Sequence, residues 1–221
     1  MTRVYVVVEG QTEETFVNAV LAPDLGHCGV FLAARLLGTA GHRGGNVTYA
    51  RVKRDVAMLL KQDKSAYCTT LLDLYGLGKG FPGDTAAPRR PTDIEQAMNN
   101  DMIGALGGTW RADIRFIPYI QQYEFEGLLF SDPERLARGI SQPQLENNFQ
   151  NIRAKFATPE EINDSPQTAP SRRILQIYPP YQKPTHGVLV AKAMGLAVIR
   201  RQCPRFNAWI TRLESLPTGK T

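Results

Sequence analysis

The sequence predicts an α/β fold with a mostly parallel sheet flanked by helices, and three observations point to it. Short apolar runs rich in β-branched residues recur over the first 120 residues. Stretches of helical spacing separate them. Two of the runs end on a carboxylate with a glycine close behind, the crevice where open α/β sheets place their ligands. The chain has 221 residues, 43% hydrophobic and 21% charged, enough for one α/β core with a helical addition. We place the core at residues 1–140 and a helical extension packed on it at 141–221.

Val4 to Val8 reads as a strand buried on both faces, stopping at Glu9-Gly10. Thr12 is placed to cap the next helix, whose first turn holds Glu13 and Glu14 against the positive end of its dipole. Glu9 then stands at the carboxyl end of a central strand, as a candidate metal ligand or general base. A solvated strand-end acid is the competing reading. Thr15 to Leu21 continues as helix up to Pro23, and Gly29 to Leu37 forms a second strand. Residues 38–46 have the composition of a loop. They lack the Lys-Ser/Thr ending of a P-loop and the spacing of a dinucleotide fingerprint, which rejects both nucleotide readings. His42 and Arg43 in this loop suit a surface loop better than a phosphate site.

Val47 to Gln62 carries Val52, Val56, Leu59 and Leu60 at helical spacing. Tyr67 to Leu72 is the next buried strand and ends at Asp73, with Gly76 soon after, repeating the arrangement at Glu9. A Gly/Pro-rich segment follows, with Lys79, Arg89 and Arg90. Thr92 and Glu95 then read as a capping box for a helix to Leu106. Arg115 to Ile120 makes a fourth strand. In the stretch from Gln121 to Phe130, Glu124 and Glu126 sit inside an apolar frame. Burying a carboxylate costs several kcal/mol unless it is paired or metal-bound. Extended, the two share a side; helical, they diverge by about 200°.

Ser131 with Glu134 and Thr158 with Glu161 read as further capping boxes. A polar helix spans Gln142 to Phe156, and Ser165 to Pro170 is a linker. Ser171-Arg172-Arg173 opens a short helix that ends at Pro179-Pro180. His186 to Gln202 and Pro204 to Leu216 close the chain as helices, the last amphipathic. This helical third suits a brace on the carboxyl edge of the sheet, supplying cations to the acids there.

The net charge of +5 and a pI near 9.2 are a mild basic excess, compatible with a polyanionic partner. Cys28, Cys68 and Cys203 have no metal-type spacing and suit a reducing compartment. No leader-like segment precedes the first strand and no apolar run approaches a membrane span, so a soluble cytoplasmic protein is expected. Serine triad chemistry lacks a G-x-S-x-G elbow. Trp110 and Trp209 read as core.

Strand topology of this kind gathers Glu9, Asp73 and one or both of Glu124 and Glu126 at one edge. Such carboxylates repel unless a cation lies between them. Oxygen-only ligands select Mg²⁺ or Mn²⁺ over zinc. An acidic metal site in a basic protein suits phosphodiester chemistry on nucleic acid, the metal activating the phosphate while Lys and Arg hold the backbone.

The stretches Val8-Glu9-Gly10-Gln11-Thr12-Glu13, Leu72-Asp73-Leu74-Tyr75-Gly76 with Phe81-Pro82, Tyr123-Glu124-Phe125-Glu126-Gly127-Leu128-Leu129, and Pro170-Ser171-Arg172-Arg173-Ile174 resemble an uncharacterised bacterial Toprim-related family. It is a distant relative of the overcoming-lysogenization-defect nucleases. The resemblance covers most of the chain. It implies a Toprim-like (Rossmannoid) sheet that binds Mg²⁺, nuclease activity, and a setting in phage defence with a partner ATPase. It also implies Glu9 as the first Toprim acid, Asp73 as the first Asp of the Asp-x-Asp motif, and Phe125-Glu126 as the later Phe-Glu motif. The second Asp of that motif is Tyr75 here, and tyrosine cannot replace a carboxylate on Mg²⁺. Either Glu124 or Glu126 completes the site, or the domain is no longer an active nuclease.

Combining both lines, we expect Glu9, Asp73, Glu124 and Glu126 at the metal, and Glu9, Asp73, Glu126 and Lys183 in catalysis. Ser171, Arg172, Arg173, Lys183 and His186 are the expected phosphate contacts, Ser171 at a helix N-terminus. The rival expectation is a non-catalytic module of the same fold that binds an ATPase or nucleic acid.

Overall fold

In a computed structural model, which describes residues 1–38, 47–163 and 165–218, the α/β class expected above is found. Strand β1 (Thr2–Val8) lies between β2 (Val30–Leu36) and β3 (Tyr67–Asp73), with β4 (Phe116–Ile117) beyond β3. A further strand, β5 (Ile120–Gln121), also pairs with β3, and every pairing is parallel. The loop reading of residues 39–46, with His42 and Arg43, falls outside the described residues.

Alternation along the strands divides the core. Val4, Val6 and Val8 face a cluster with Phe16, Phe125, Phe206 and Trp209, so the C-terminal helices share this core with the sheet. Val7 and Leu72 face the other cluster, with Val52 and Val56 from helix α3 (Tyr49–Gln62) and Ile94 and Met98 from α4 (Pro91–Leu106). Before them come α1 (Gln11–Phe16) and α2 (Ala22–His27). Trp110 is only half-buried, under the Lys64 ammonium at 5.4 Å, whereas Trp209 is core. Its indole N–H donates to Thr69 Oγ1 at 2.9 Å and its ring stacks on Tyr119 at 4.4 Å. Trp209→Phe strands that buried acceptor and is expected to cost about 1–3 kcal/mol. A melting curve should fall by roughly 5 °C.

Several local expectations are corrected. Gly10, not Thr12, is the N-cap of α1. Pro23 does not end the first helical run, because a widened π turn at Val17–Leu21 precedes it and the missing N–H falls at the start of α2. The fourth strand is broken at Pro118-Tyr119. There Thr70 takes over the ladder, its hydroxyl donating to Tyr119 O at 2.7 Å and accepting from Tyr119 N at 2.9 Å. The Thr92–Glu95 capping box is absent: α4 begins at Pro91, and Glu95 instead accepts from Ile120 N at 2.7 Å and Arg205 at 2.8 Å.

After α5 (Ala112–Arg115) and α6 (Glu126–Leu129), helix α7 (Pro133–Gly139) is capped by Asp132, which accepts from Arg135 N at 3.0 Å, rather than by Ser131. The polar helix shortens to α8 (Glu146–Arg153). Thr158 makes no side-chain cap, and a capping box appears instead at Ser165 and Thr168, in the expected linker. Beyond α9 (Pro170–Ile177), the single helix expected over His186 to Gln202 is a π turn at Lys183–Gly187, then α10 (Val188–Met194) and α11 (Leu196–Gln202). The break falls at Gly195, whose φ of 77° suits glycine. Helix α12 (Pro204–Glu214) closes the fold. Among the described residues no helix is long and apolar enough to cross a membrane.

Candidate metal centre

The register of the sheet sets two of the acids side by side. Val8 pairs with Leu71, so Glu9, just past β1, lies level with the end of β3 at Asp73. Gly10 turns the chain into α1, which brings Glu13 back over the same strand ends. Glu9, Glu13 and Asp73 each offer an oxygen within 4.8 Å of the others. Asp73 Oδ1 accepts from Phe125 N at 2.8 Å, fixing the segment that leads into α6. Glu126, fully buried, opens that helix.

Lys183 enters from the π turn before α10. Its Nζ lies 2.9 Å from Asp73 Oδ2, 3.2 Å from Glu13 Oε1 and 3.4 Å from Glu126 Oε2. Its side chain remains 31% exposed. One ammonium therefore faces several buried carboxylates. Glu9 Oε2 and Glu126 Oε1 are buried without a hydrogen-bond partner, and Glu13 Oε1 and Glu126 Oε2 have only the Lys183 ammonium near them. Native interiors rarely leave polar atoms in that state.

The electrostatics follow from burial first. Desolvation, with repulsion from Asp73 and Glu13, pushes the Glu9 carboxyl up to about 8, against the pull of Lys183. Desolvation pushes Glu126 up to about 8 as well, Lys183 again opposing. Glu13 is raised by desolvation, which outweighs the attraction of Lys183. Burial alone would weaken the charge on Lys183, but Asp73, Glu126 and Glu13 outweigh it and hold the ammonium well above its usual range. A mostly buried, all-oxygen set with more carboxyl groups than cations, whose acids a bound ion would hold ionised, fits a hard divalent cation.

A second glycine keeps the centre open. A Cβ on Gly76 would sit 2.5 Å from Glu9 Oε2. Gly76→Ala is expected to push the Glu9 carboxylate aside and weaken Mn²⁺ binding roughly tenfold. Titration calorimetry measures the affinity, and an unchanged circular dichroism spectrum shows that the variant still folds.

The other expected residues are distributed around this centre. Tyr123 is left-handed, with φ of 61°, a strained state for a bulky residue at roughly 1–3 kcal/mol. The chain then enters α6, so Glu124 and Glu126 diverge. Glu126 turns to Lys183, while Glu124 Oε2 accepts from Ser171 N at 2.9 Å in the first turn of α9. Arg172 is exposed. Arg173 donates from Nε to Thr168 O at 2.7 Å and lies over the Phe156 ring. His186 Nδ1 accepts from Gln182 N at 2.8 Å, and its ring stacks on Tyr181 at 5.8 Å. Tyr75 accepts from Asn163 Nδ2 at 2.6 Å. Sequence reasoning assigned no site role to Glu13 or Tyr181. The spacing of four between Glu9 and Glu13 around a glycine was the available signal for the first; Tyr181 offered none.

Fold and site together define an α/β protein whose parallel sheet carries a buried acidic centre at its carboxyl edge. The chain belongs to the family described as domain of unknown function DUF4276, whose model matches residues 8–214. A search of curated proteins finds no match. Among solved structures, it is similar to two of the C-terminal region of the Xanthomonas campestris pv. campestris OLD protein. The platinum-phased one is 16% identical over 95% of this chain and 94% of that chain, with a TM-score of 0.41. The mercury-phased one is 15% identical over 96% of this chain and 97% of that chain, with a TM-score of 0.36.

Proposed function

We propose that the protein is a Mg²⁺- or Mn²⁺-dependent phosphodiesterase of Toprim type acting on nucleic acid. The observation that carries this reading is the convergence of half-buried Glu9 and buried Glu13, Asp73 and Glu126 at one sheet edge, with a single ammonium among them and two oxygens left without a partner. Glu9, Glu13 and Asp73 would hold the ion, with Glu126 completing the set. A bound divalent ion polarises a phosphate and lowers the pKa of water. Lys183, whose ammonium lies among these carboxylates, would donate to a phosphate oxygen. Glu124 acts indirectly by fixing the N-terminus of α9, which orients Ser171, Arg172 and Arg173 as phosphate contacts, with His186 beside Tyr181 at the rim.

The test is cleavage of plasmid and single-stranded substrates with Mg²⁺ or Mn²⁺, comparing wild type with Asp73→Ala. Metal-dependent cutting that the variant lacks supports the reading. No cutting by a folded wild type that also shows no stabilisation by Mn²⁺ overturns it. The rival, a non-catalytic module that binds an ATPase or nucleic acid, is favoured by Tyr75, whose hydroxyl is tied to Asn163 where a second Asp is expected. The motif resemblance supports phage defence beside a partner ATPase. Plaque counts on cells carrying wild type or Asp73→Ala with the ATPase would test that setting.

A further inference from the structure

Next to the acids lies an aromatic pair for which metal chemistry has no use. The rings of Tyr75 and Tyr123 are 5.4 Å apart at 48°, and both residues are half-buried. Asn163 holds the Tyr75 hydroxyl, and Tyr75 N donates to Tyr123 O at 3.0 Å. Tyr123 is kept in its left-handed conformation between these contacts. Strained backbone conformations of this sort gather at ligand clamps.

Both tyrosines are tied by backbone to the centre. Tyr75 lies two residues past Asp73, so their Cα atoms are at most about 7.6 Å apart. Its neighbour Gly76 abuts the Glu9 carboxylate. Tyr123 lies two residues before Phe125, whose amide donates to Asp73. These short chain separations keep both residues within reach of a base on a strand whose phosphate lies at the acids.

We propose that Tyr75 and Tyr123 form a stacking platform for an unpaired base of single-stranded DNA or RNA whose phosphate lies at the acids. This rests on the function proposed above and adds the substrate's form: single-stranded at the centre. Every base has a π-face, so the platform tolerates any sequence. A base inside a duplex is already stacked and does not use it.

The experiment titrates the full chain, with Ca²⁺ in place of Mg²⁺, into short DNA and RNA single strands carrying 2-aminopurine at each position in turn. Matching duplexes are run beside them. Wild type is expected to quench the probe at one or two positions in the single strand and to leave the duplex signal unchanged. Tyr75→Leu should weaken binding roughly tenfold and abolish quenching, while Tyr75→Phe keeps both. Tyr123→Gly relieves the left-handed strain, so it guards against a folding artefact: its melting temperature should hold while quenching falls. Binding that is intact and equally quenched in Tyr75→Leu and Tyr123→Gly overturns the platform but leaves the metal-centre reading standing. Ca²⁺-dependent stabilisation without binding to any nucleic acid overturns the platform together with the nucleic-acid function.

Discussion

Asp73→Asn is expected to reduce Mn²⁺-dependent phosphodiester cleavage by about 10³-fold or more while the protein stays folded. Asp73 is 3% exposed, and its two oxygens join the Phe125 amide and Lys183. Asparagine keeps the shape and one acceptor, so Phe125 can remain held and α6 in place. What disappears is the negative charge common to the metal set and to Lys183. Charge stabilisation by a bound metal is worth several kcal/mol, and each 1.4 kcal/mol is a factor of ten. Glu124→Gln is the matched control. Its oxygen serves the Ser171 amide, so a loss of at most about tenfold is expected, by analogy with groups that only orient ligands. Steady-state cleavage with a melting curve for each variant decides the comparison. Equal losses for the two variants would remove Asp73 from the centre of the site.

The strand ends were legible because their signal is local. Val4 to Val8 and Tyr67 to Leu72 are continuous apolar runs, and each meets a carboxylate where the run stops. The turn of Glu13 onto the same edge depends on the angle at which α1 leaves Gly10, a tertiary property that first-turn acids do not disclose. Non-local capping was equally hidden. The N-terminus of α12 is held by Glu160, which accepts from Arg205 N and Phe206 N, each at 2.9 Å. That carboxylate lies some 45 residues upstream, where local spacing suggested a helix start of its own. Pro118 lies inside the run read as one strand, and the Thr70 hydroxyl that repairs the ladder there carries no local signal. Of Glu124 and Glu126, sequence left both orientations open. The left-handed Tyr123 decides between them, and a tyrosine there is contrary to ordinary preference.

Stability of the metal-free protein is expected to fall steeply between about pH 5 and pH 9, and Mn²⁺ should reverse the fall. Glu9 and Glu126 are both pushed from about 4.5 to about 8 in the folded chain. A carboxyl whose pKa is raised by folding favours the folded state while protonated. Its contribution is full below the unfolded value and is lost as pH climbs through the folded one. Lys183 faces Asp73, Glu126 and Glu13, and it stays charged throughout, since these acids push it upward. Each pKa unit corresponds to about 1.4 kcal/mol. A shift of this size therefore represents several kcal/mol even for one of the two acids, or of the order of 10 °C in melting temperature for a chain of this length. A divalent ion bound by the ionised carboxylates reverses the preference, because it binds the folded state alone and competes with the protons. The Mn²⁺-induced rise in melting temperature should therefore be small at pH 5.5 and large at pH 8.5. Differential scanning fluorimetry across that range, with and without Mn²⁺, makes the measurement. A metal-free melting temperature that climbs from pH 5.5 to pH 8.5 would mean that Glu9 and Glu126 are already ionised and paired in the apo protein, with Lys183 alone sufficient to hold the centre.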